Sequence, residues 1–152
     1  VTDVSWNYEQ NKRITPFNPG KKQKNKDRVM FQQDIERIQE FRKCIECYLC
    51  QDVCHVIRDQ NRKDKFVGPR FMIRLASLEM HPLDKEDRIP QIKEKYGSGM
   101  CNITRCCTDV CPENIQITDN AIIPLKERVV DRFYDPLYWV FNKLFRNNPK
   151  LN

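Results

Sequence analysis

The chain has 152 residues, 39% of them hydrophobic and 32% charged, with a formal net charge of +6 and eight cysteines. That is enough for one domain with a modest core, so bound metal is expected to contribute much of the stability. No run approaches the ~18 apolar residues of a membrane-spanning helix, no secretory signal is visible, and neither a nucleotide-binding glycine motif nor a nucleophile–base pair argues for catalysis by the chain itself.

Residues 1–28 read as a lead-in followed by a basic linker. Val4, Trp6, Tyr8 and Ile14 are candidates for burial, while Lys12, Arg13, Lys21, Lys22, Lys24, Lys26 and Arg28 crowd the same stretch. Such a basic run is a solvated linker or a patch for docking and anionic headgroups. It carries no motif of a nucleic-acid fold and no aromatic interleaving, which argues against a nucleic-acid partner.

Residues 29–134 form the main domain. Phe31, Ile35, Ile38 and Phe41 recur every three or four positions, the spacing of one helix face, and lead into a first cysteine block. Pro69 suits a first helical turn, and Phe71, Met72, Leu75 and Leu78 continue an amphipathic helix that stops before His81-Pro82. Tyr96-Gly97-Ser98-Gly99 reads as a flexible approach to a second cysteine block, after which a third helix runs through Leu125, Val129, Val130 and Phe133. Residues 135–152 predict a terminal amphipathic helix: Asp135 caps it, Pro136 opens it, Leu137, Phe141, Leu144 and Phe145 share a face, and Tyr138, Trp139, Lys143 and Arg146 suit either packing or a membrane interface. Strand alternation is scarce, so the class is mainly α.

All eight cysteines lie in two blocks, Cys44-Ile-Glu-Cys47-Tyr-Leu-Cys50-Gln-Asp-Val-Cys54 and Cys101-Asn-Ile-Thr-Arg-Cys106-Cys107-Thr-Asp-Val-Cys111-Pro112. The first has the C-x2-C-x2-C-x3-C spacing in which three thiolates take corners of one iron–sulfur cube and the fourth cysteine reaches a different cluster. On the same template the second reads Cys101, Thr104, Cys107, Cys111, with a poor iron ligand at one corner. The expectation is a [4Fe–4S] cluster on Cys44, Cys47, Cys50 and Cys111, and a [3Fe–4S] cluster on Cys54, Cys101 and Cys107. Cys106 is left over; adjacent cysteines point apart, and it could serve as a ligand only if the loop were distorted. Disulfides are disfavoured by the crowding of three cysteines within seven residues. Structural zinc is the stronger rival, although zinc sites favour two separated pairs over a triplet.

These blocks, with Asp64-Lys65-Phe66-Val67-Gly68-Pro69 between them and the Cys107-x3-Cys111-Pro112 ending, resemble the C-terminal, α-helical ferredoxin domain of the iron–sulfur subunit of succinate dehydrogenase and fumarate reductase. Val1-Thr2-Asp3-Val4 with Trp6, Tyr8 and the stretch from Lys12 to Phe17 is similar to that family's segment joining its two domains. The resemblance implies a relay: electrons pass from a FAD flavoprotein through a [2Fe–2S] centre, then the two clusters named above, to a membrane quinone. It also implies membrane anchor subunits and a peripheral place on the cytoplasmic side of a bacterial inner membrane, or the matrix side of the mitochondrial one. The [2Fe–2S] domain is not in this sequence; the chain opens on Val1, which suggests a piece of a longer subunit, or else a split subunit whose partner chain carries that cluster.

The family often has proline where this chain has His55, tryptophan near Asp59, and histidine where it has Asn102. By analogy His55, Asn102 and Thr104 lie near the three-iron centre and the quinone, with His55 either touching the quinone or supporting the cluster through a hydrogen bond. Runner-up readings are the iron–sulfur subunit of a related quinone or heterodisulfide reductase, whose second block usually has all its cysteines, and a zinc-binding interaction module.

Overall fold

Helical periodicity without strand alternation gives a helical protein. The computed structural model describes residues 3–21 and 27–136, and among them there is no strand. The helices are α1 Ser5–Arg13, α2 Gln32–Gln39, α3 Leu49–Asp52, α4 His55–Arg58, α5 Pro69–Glu79, α6 Ile89–Glu94, α7 Cys106–Asp109 and α8 Ile123–Tyr134. The expected mainly α class holds.

The centre is α5. Gly68 precedes it at φ +90°, where a Cβ would overlap the Gln51 side chain and Ile57, so the entry turn requires glycine. Pro69 then supplies a preset first turn. Phe71, Met72, Ile73, Leu75, Ala76 and Leu78 are all buried, so this helix is apolar on nearly every side and others must pack around it. Its main neighbour is a π-helical turn, Ile117–Ile122, that runs directly into α8. On α8 only Leu125 and Val129 are buried; Val130 and Phe133 face outward, and Phe133 lies under the Lys93 ammonium at 4.0 Å.

In α1 the inward row is Trp6, Gln10 and Ile14, spaced four apart; Trp6 meets Phe71 edge-on at 6.0 Å and Ile14 is buried. Val4 and Tyr8 lie off that row and are exposed, which corrects the expectation that they would be buried. Phe31 is likewise exposed: it precedes α2 in extended backbone, so the helical period never brings it to the face shared by Ile38 and Phe41.

The lead-in is fastened by one buried ion pair. Arg88, 1% exposed, donates through Nε (3.0 Å) and Nη2 (2.7 Å) to Asp84 Oδ2, and through Nη1 and Nη2 to the Thr15 and Pro16 carbonyls at 2.6 and 2.9 Å. Asp84 in turn accepts the Asn18 amide at 3.3 Å.

The approach to the second cysteine block is tightly packed, not flexible as its composition suggested. Tyr96 and Ser98 are buried, the Tyr96 hydroxyl donates to the Arg13 carbonyl at 2.9 Å, and Gly97 sits at φ +64° where a Cβ would overlap the Lys65 carbonyl oxygen. At the other end Asp135 leaves α8 in extended backbone, and the predicted terminal helix from Leu137 onward lies outside the described residues.

Candidate metal centre

The two cysteine blocks fold as copies of one loop, offset by 57 positions in sequence. Each follows a 3-10 turn, Glu40–Lys43 in one case and Ser98–Met100 in the other, and each ends in a four-residue helix, α3 or α7. Glu46 and Ile103 both have φ +59°; Tyr48 and Arg105, the residues that enter α3 and α7, have φ +63° and +65°. These conformations are costly for residues other than glycine, and such strain concentrates at functional sites. The hydrogen bonds repeat as well: Gln51 N to Tyr48 O and Thr108 N to Arg105 O are each 2.8 Å.

This repeat pairs Cys44 with Cys101, Cys47 with Thr104, Cys50 with Cys107 and Cys54 with Cys111. Cys106 pairs with Leu49, an exposed position. The backbone itself therefore aligns Thr104 with a cysteine of the first block, and α3 and α7 pack together.

Cys44, Cys47, Cys50 and Cys111 line one cavity, with about 320 Å³ of space between atoms, part of it open to solvent. Cys54, Cys101, Cys106 and Cys107 line a second, of about 300 Å³, together with Asn102, Thr104 and Arg105. The fourth cysteine of each block thus stands with the other block's set. His55 is in neither wall; its ring is 43% exposed, and Nδ1 is 2.9 Å from Asp59 Oδ2. Arg58 and His55 together hold the Asp59 carboxyl down, to a pKa of about 2. With Asp59 ionised, Nδ1 carries the proton in that hydrogen bond, which leaves Nε2 as the free ring nitrogen.

All eight cysteines are unpaired. Among the described residues no three His, Cys, Asp or Glu side chains converge on the position of a single metal ion. A tetrahedral zinc site needs such convergence, with sulfurs ~2.3 Å from the metal. Cysteines spread around a mostly apolar void fit a polynuclear cluster instead, and thiolate is the ligand such clusters take.

Burial pushes the Cys50 thiol far above its ordinary pKa, and the nearby Cys107, Cys44, Cys47 and Cys111 sulfurs push it further. Cys54 and Cys107 are raised by burial too, partly offset by the Ile57 and Val56 amides at Cys54 and by the Thr118 hydroxyl at Cys107. These sulfurs lose their protons when metal takes them.

Around Cys107 two hydroxyls form a short relay. Thr118 N donates to Thr108 Oγ1 at 3.0 Å, Thr108 Oγ1 donates to Thr118 Oγ1 at 3.1 Å, and Thr118 Oγ1 lies 3.5 Å from Cys107 Sγ, where its proton is available to the sulfur once that sulfur is a thiolate. Sequence spacing missed Thr108 and Thr118. The first cavity holds another missed residue, Arg70, buried in its wall. A charged residue in the mainly apolar α5 is the signal that could have singled it out.

Residues 40–115 match the family described as a 4Fe-4S dicluster domain. The chain belongs to that family. A chain of the Mycobacterium smegmatis Sdh1 complex in the apo form is 58% identical to it, with a TM-score of 0.85 over 90% of this chain and 58% of that one. The succinate dehydrogenase iron-sulfur subunit of Bacillus subtilis is 29% identical over 82 residues, which is 52% of this chain and 31% of the relative. A subunit of the fumarate reductase (CoM/CoB) of Methanothermobacter marburgensis is 29% identical over 94 residues, 62% of this chain and 18% of the relative. The chain therefore spans less than a third of these two curated relatives. The resemblance to succinate dehydrogenase and fumarate reductase iron–sulfur subunits is borne out by these matches.

Proposed function

We propose that this chain is the two-cluster electron-transfer part of a succinate:quinone oxidoreductase or fumarate reductase, carrying electrons between a FAD flavoprotein and a membrane quinone. The observation that carries the reading is the exchange of fourth cysteines, Cys111 standing with Cys44, Cys47 and Cys50 while Cys54 stands with Cys101 and Cys107. The first set would hold a [4Fe–4S] cluster. The second would hold a [3Fe–4S] cluster, because Thr104 fills the corner that corresponds to Cys47. Such groups supply reversible one-electron transfer.

The protein's part is to hold the two cages close together. Cys50 and Cys107 sit on the packed helices α3 and α7, and the Cys107 sulfur is near enough to act on the Cys50 thiol, which supports two cages lying close together. Asn102 and Thr104, in the wall of the second cavity, mark the side nearest the quinone; His55, with Nε2 free, is the nearby group able to pass a proton there. A [2Fe–2S] centre and the flavin belong to other domains or chains of the assembly. Since no described helix is long and apolar enough to cross a membrane, membrane anchor subunits would hold the complex peripherally, on the cytoplasmic or matrix face.

Anaerobic purification tests the reading. Brown protein containing iron and sulfide, with an EPR-active three-iron centre when oxidised and a silent four-iron one, is expected. Colourless protein with stoichiometric zinc would overturn it.

A further inference from the structure

Arg70 is the second residue of α5, and its side chain is 5% exposed. It stands in the wall of the cavity formed by Cys44, Cys47, Cys50 and Cys111. Nη2 donates to the carboxylate of Glu46, a half-exposed residue held at φ +59° in the first cysteine loop. Nε donates to nothing, and it is the one buried side-chain nitrogen without a partner among the described residues.

A buried, charged donor with no acceptor is a costly arrangement, and native structures keep few of them. Ile45, Ile73, Pro112, Ile115 and Ile117 line the same cavity and offer no side-chain acceptor, and Tyr48 and Glu113, which line it too, do not accept from Nε. The cysteine sulfurs do face it, and four thiolates around an iron–sulfur cage carry net negative charge that this apolar wall otherwise leaves unbalanced. An unpaired guanidinium N–H and an uncompensated anion in one cavity answer each other.

We propose that Arg70 is the electrostatic partner of the cluster held by Cys44, Cys47, Cys50 and Cys111, and that it raises the cluster's reduction potential, with Glu46 moderating its charge. The inference rests on the four-iron reading above. Reduction adds one electron to an already anionic cage, so a nearby positive charge and an N–H to sulfur stabilise the reduced form more than the oxidised one. Glu46 draws on the same guanidinium and acts in the opposite sense.

The experiment is a redox titration of the anaerobically purified holoprotein, followed by EPR of the reduced four-iron centre. Arg70→Met is expected to disfavour reduction at least tenfold, a downward shift of about 59 mV for a one-electron couple. Arg70→Lys, which keeps the charge and loses Nε, falls between. Glu46→Gln shifts the equilibrium upward, and the three-iron centre stays where it was in every variant. Opposite signs at Arg70 and Glu46 are not what a general loosening of the fold produces. If Arg70→Met fails to keep its cluster, Arg70→Lys and Glu46→Gln decide in the same way: a downward shift in the first and an upward one in the second support the inference. Unchanged potentials, or shifts of one sign in both, overturn it. A parent protein that never shows a four-iron signal overturns the cluster assignment beneath it instead.

Discussion

Thr104 Oγ1 and Cys106 Sγ lie 3.3 Å apart, at the two positions that Cys47 and Leu49 occupy in the first loop. Cys106 also donates to the Val53 carbonyl at 3.4 Å, so its sulfur already has two protein partners. On the proposed assignment the threonine takes the fourth corner, and Cys106, which lines the same cavity, stays off the cluster. Thr104→Cys is expected to turn the three-iron centre into a four-iron one, raising iron from about seven to about eight per chain and abolishing the EPR signal of the oxidised protein. Cys106→Ser should leave both unchanged. Iron lost on removing Cys106 would make it a ligand and undo the assignment.

Cysteine spacing was legible because ligation to a cage is a local constraint, written in residues that fold as one loop. Helix α5 was legible from period and proline, and α8 from period, for the same reason. What the sequence could not say was which way a short helix turns. Val4 and Tyr8 look as apolar as Ile14, but only the row through Trp6 and Gln10 meets Phe71. Gly97 looked like slack, yet it is the place where the Lys65 carbonyl comes too near for a side chain. Arg70 and Thr118 act across the fold on sulfurs far away in sequence, and no spacing rule reaches them.

The hydroxyl relay at Cys107 sets the second prediction. Thr118→Val keeps shape and removes the one side-chain donor to that sulfur. A hydrogen bond to a ligand sulfur favours the reduced cluster, and its loss is worth about 1 kcal/mol, roughly fivefold in the reduction equilibrium. The three-iron centre should become harder to reduce by that amount, with the four-iron centre unmoved. A redox titration that finds both unmoved would remove Thr118 from any part in tuning.

Removing Arg88 takes the buried counter-charge from Asp84 and frees the Thr15 and Pro16 carbonyls. Breaking one side of a buried pair costs about 3–5 kcal/mol. Arg88→Met should lower the melting temperature sharply, and limited proteolysis should cut first around Thr15 to Asn18. Equal melting temperatures would mean that the lead-in is held by its other contacts, Trp6, Ile14 and the Tyr96 bond to the Arg13 carbonyl among them.

The exchange of fourth cysteines makes a separate test. Cys111→Ser should damage the four-iron spectrum first, and Cys54→Ser the three-iron spectrum first, because each stands in the other block's cavity. The reverse pattern would mean that each loop builds its own cluster and that the cavities mislead.

Cluster removal should expose the buried thiols as a pH dependence. Cys50, Cys54 and Cys107 hold their protons more tightly in the fold than in an unfolded chain, chiefly because burial disfavours thiolate. An unfolded cysteine loses its proton near pH ~8.5. Above that point the unfolded chain binds fewer protons than the folded one, so stability falls as pH rises. The contribution is complete below the unfolded thiol pKa and is lost on the way up to the folded values. Protein stripped of metal under reducing, anaerobic conditions should thus melt at a lower temperature at about pH 10 than at about pH 7.5. With clusters in place the same sulfurs are already deprotonated and held by iron, so this source of pH dependence disappears. Circular dichroism melts of the stripped and loaded forms check this. A stripped protein with one melting temperature across the range would mean that these thiols ionise as freely in the fold as outside it.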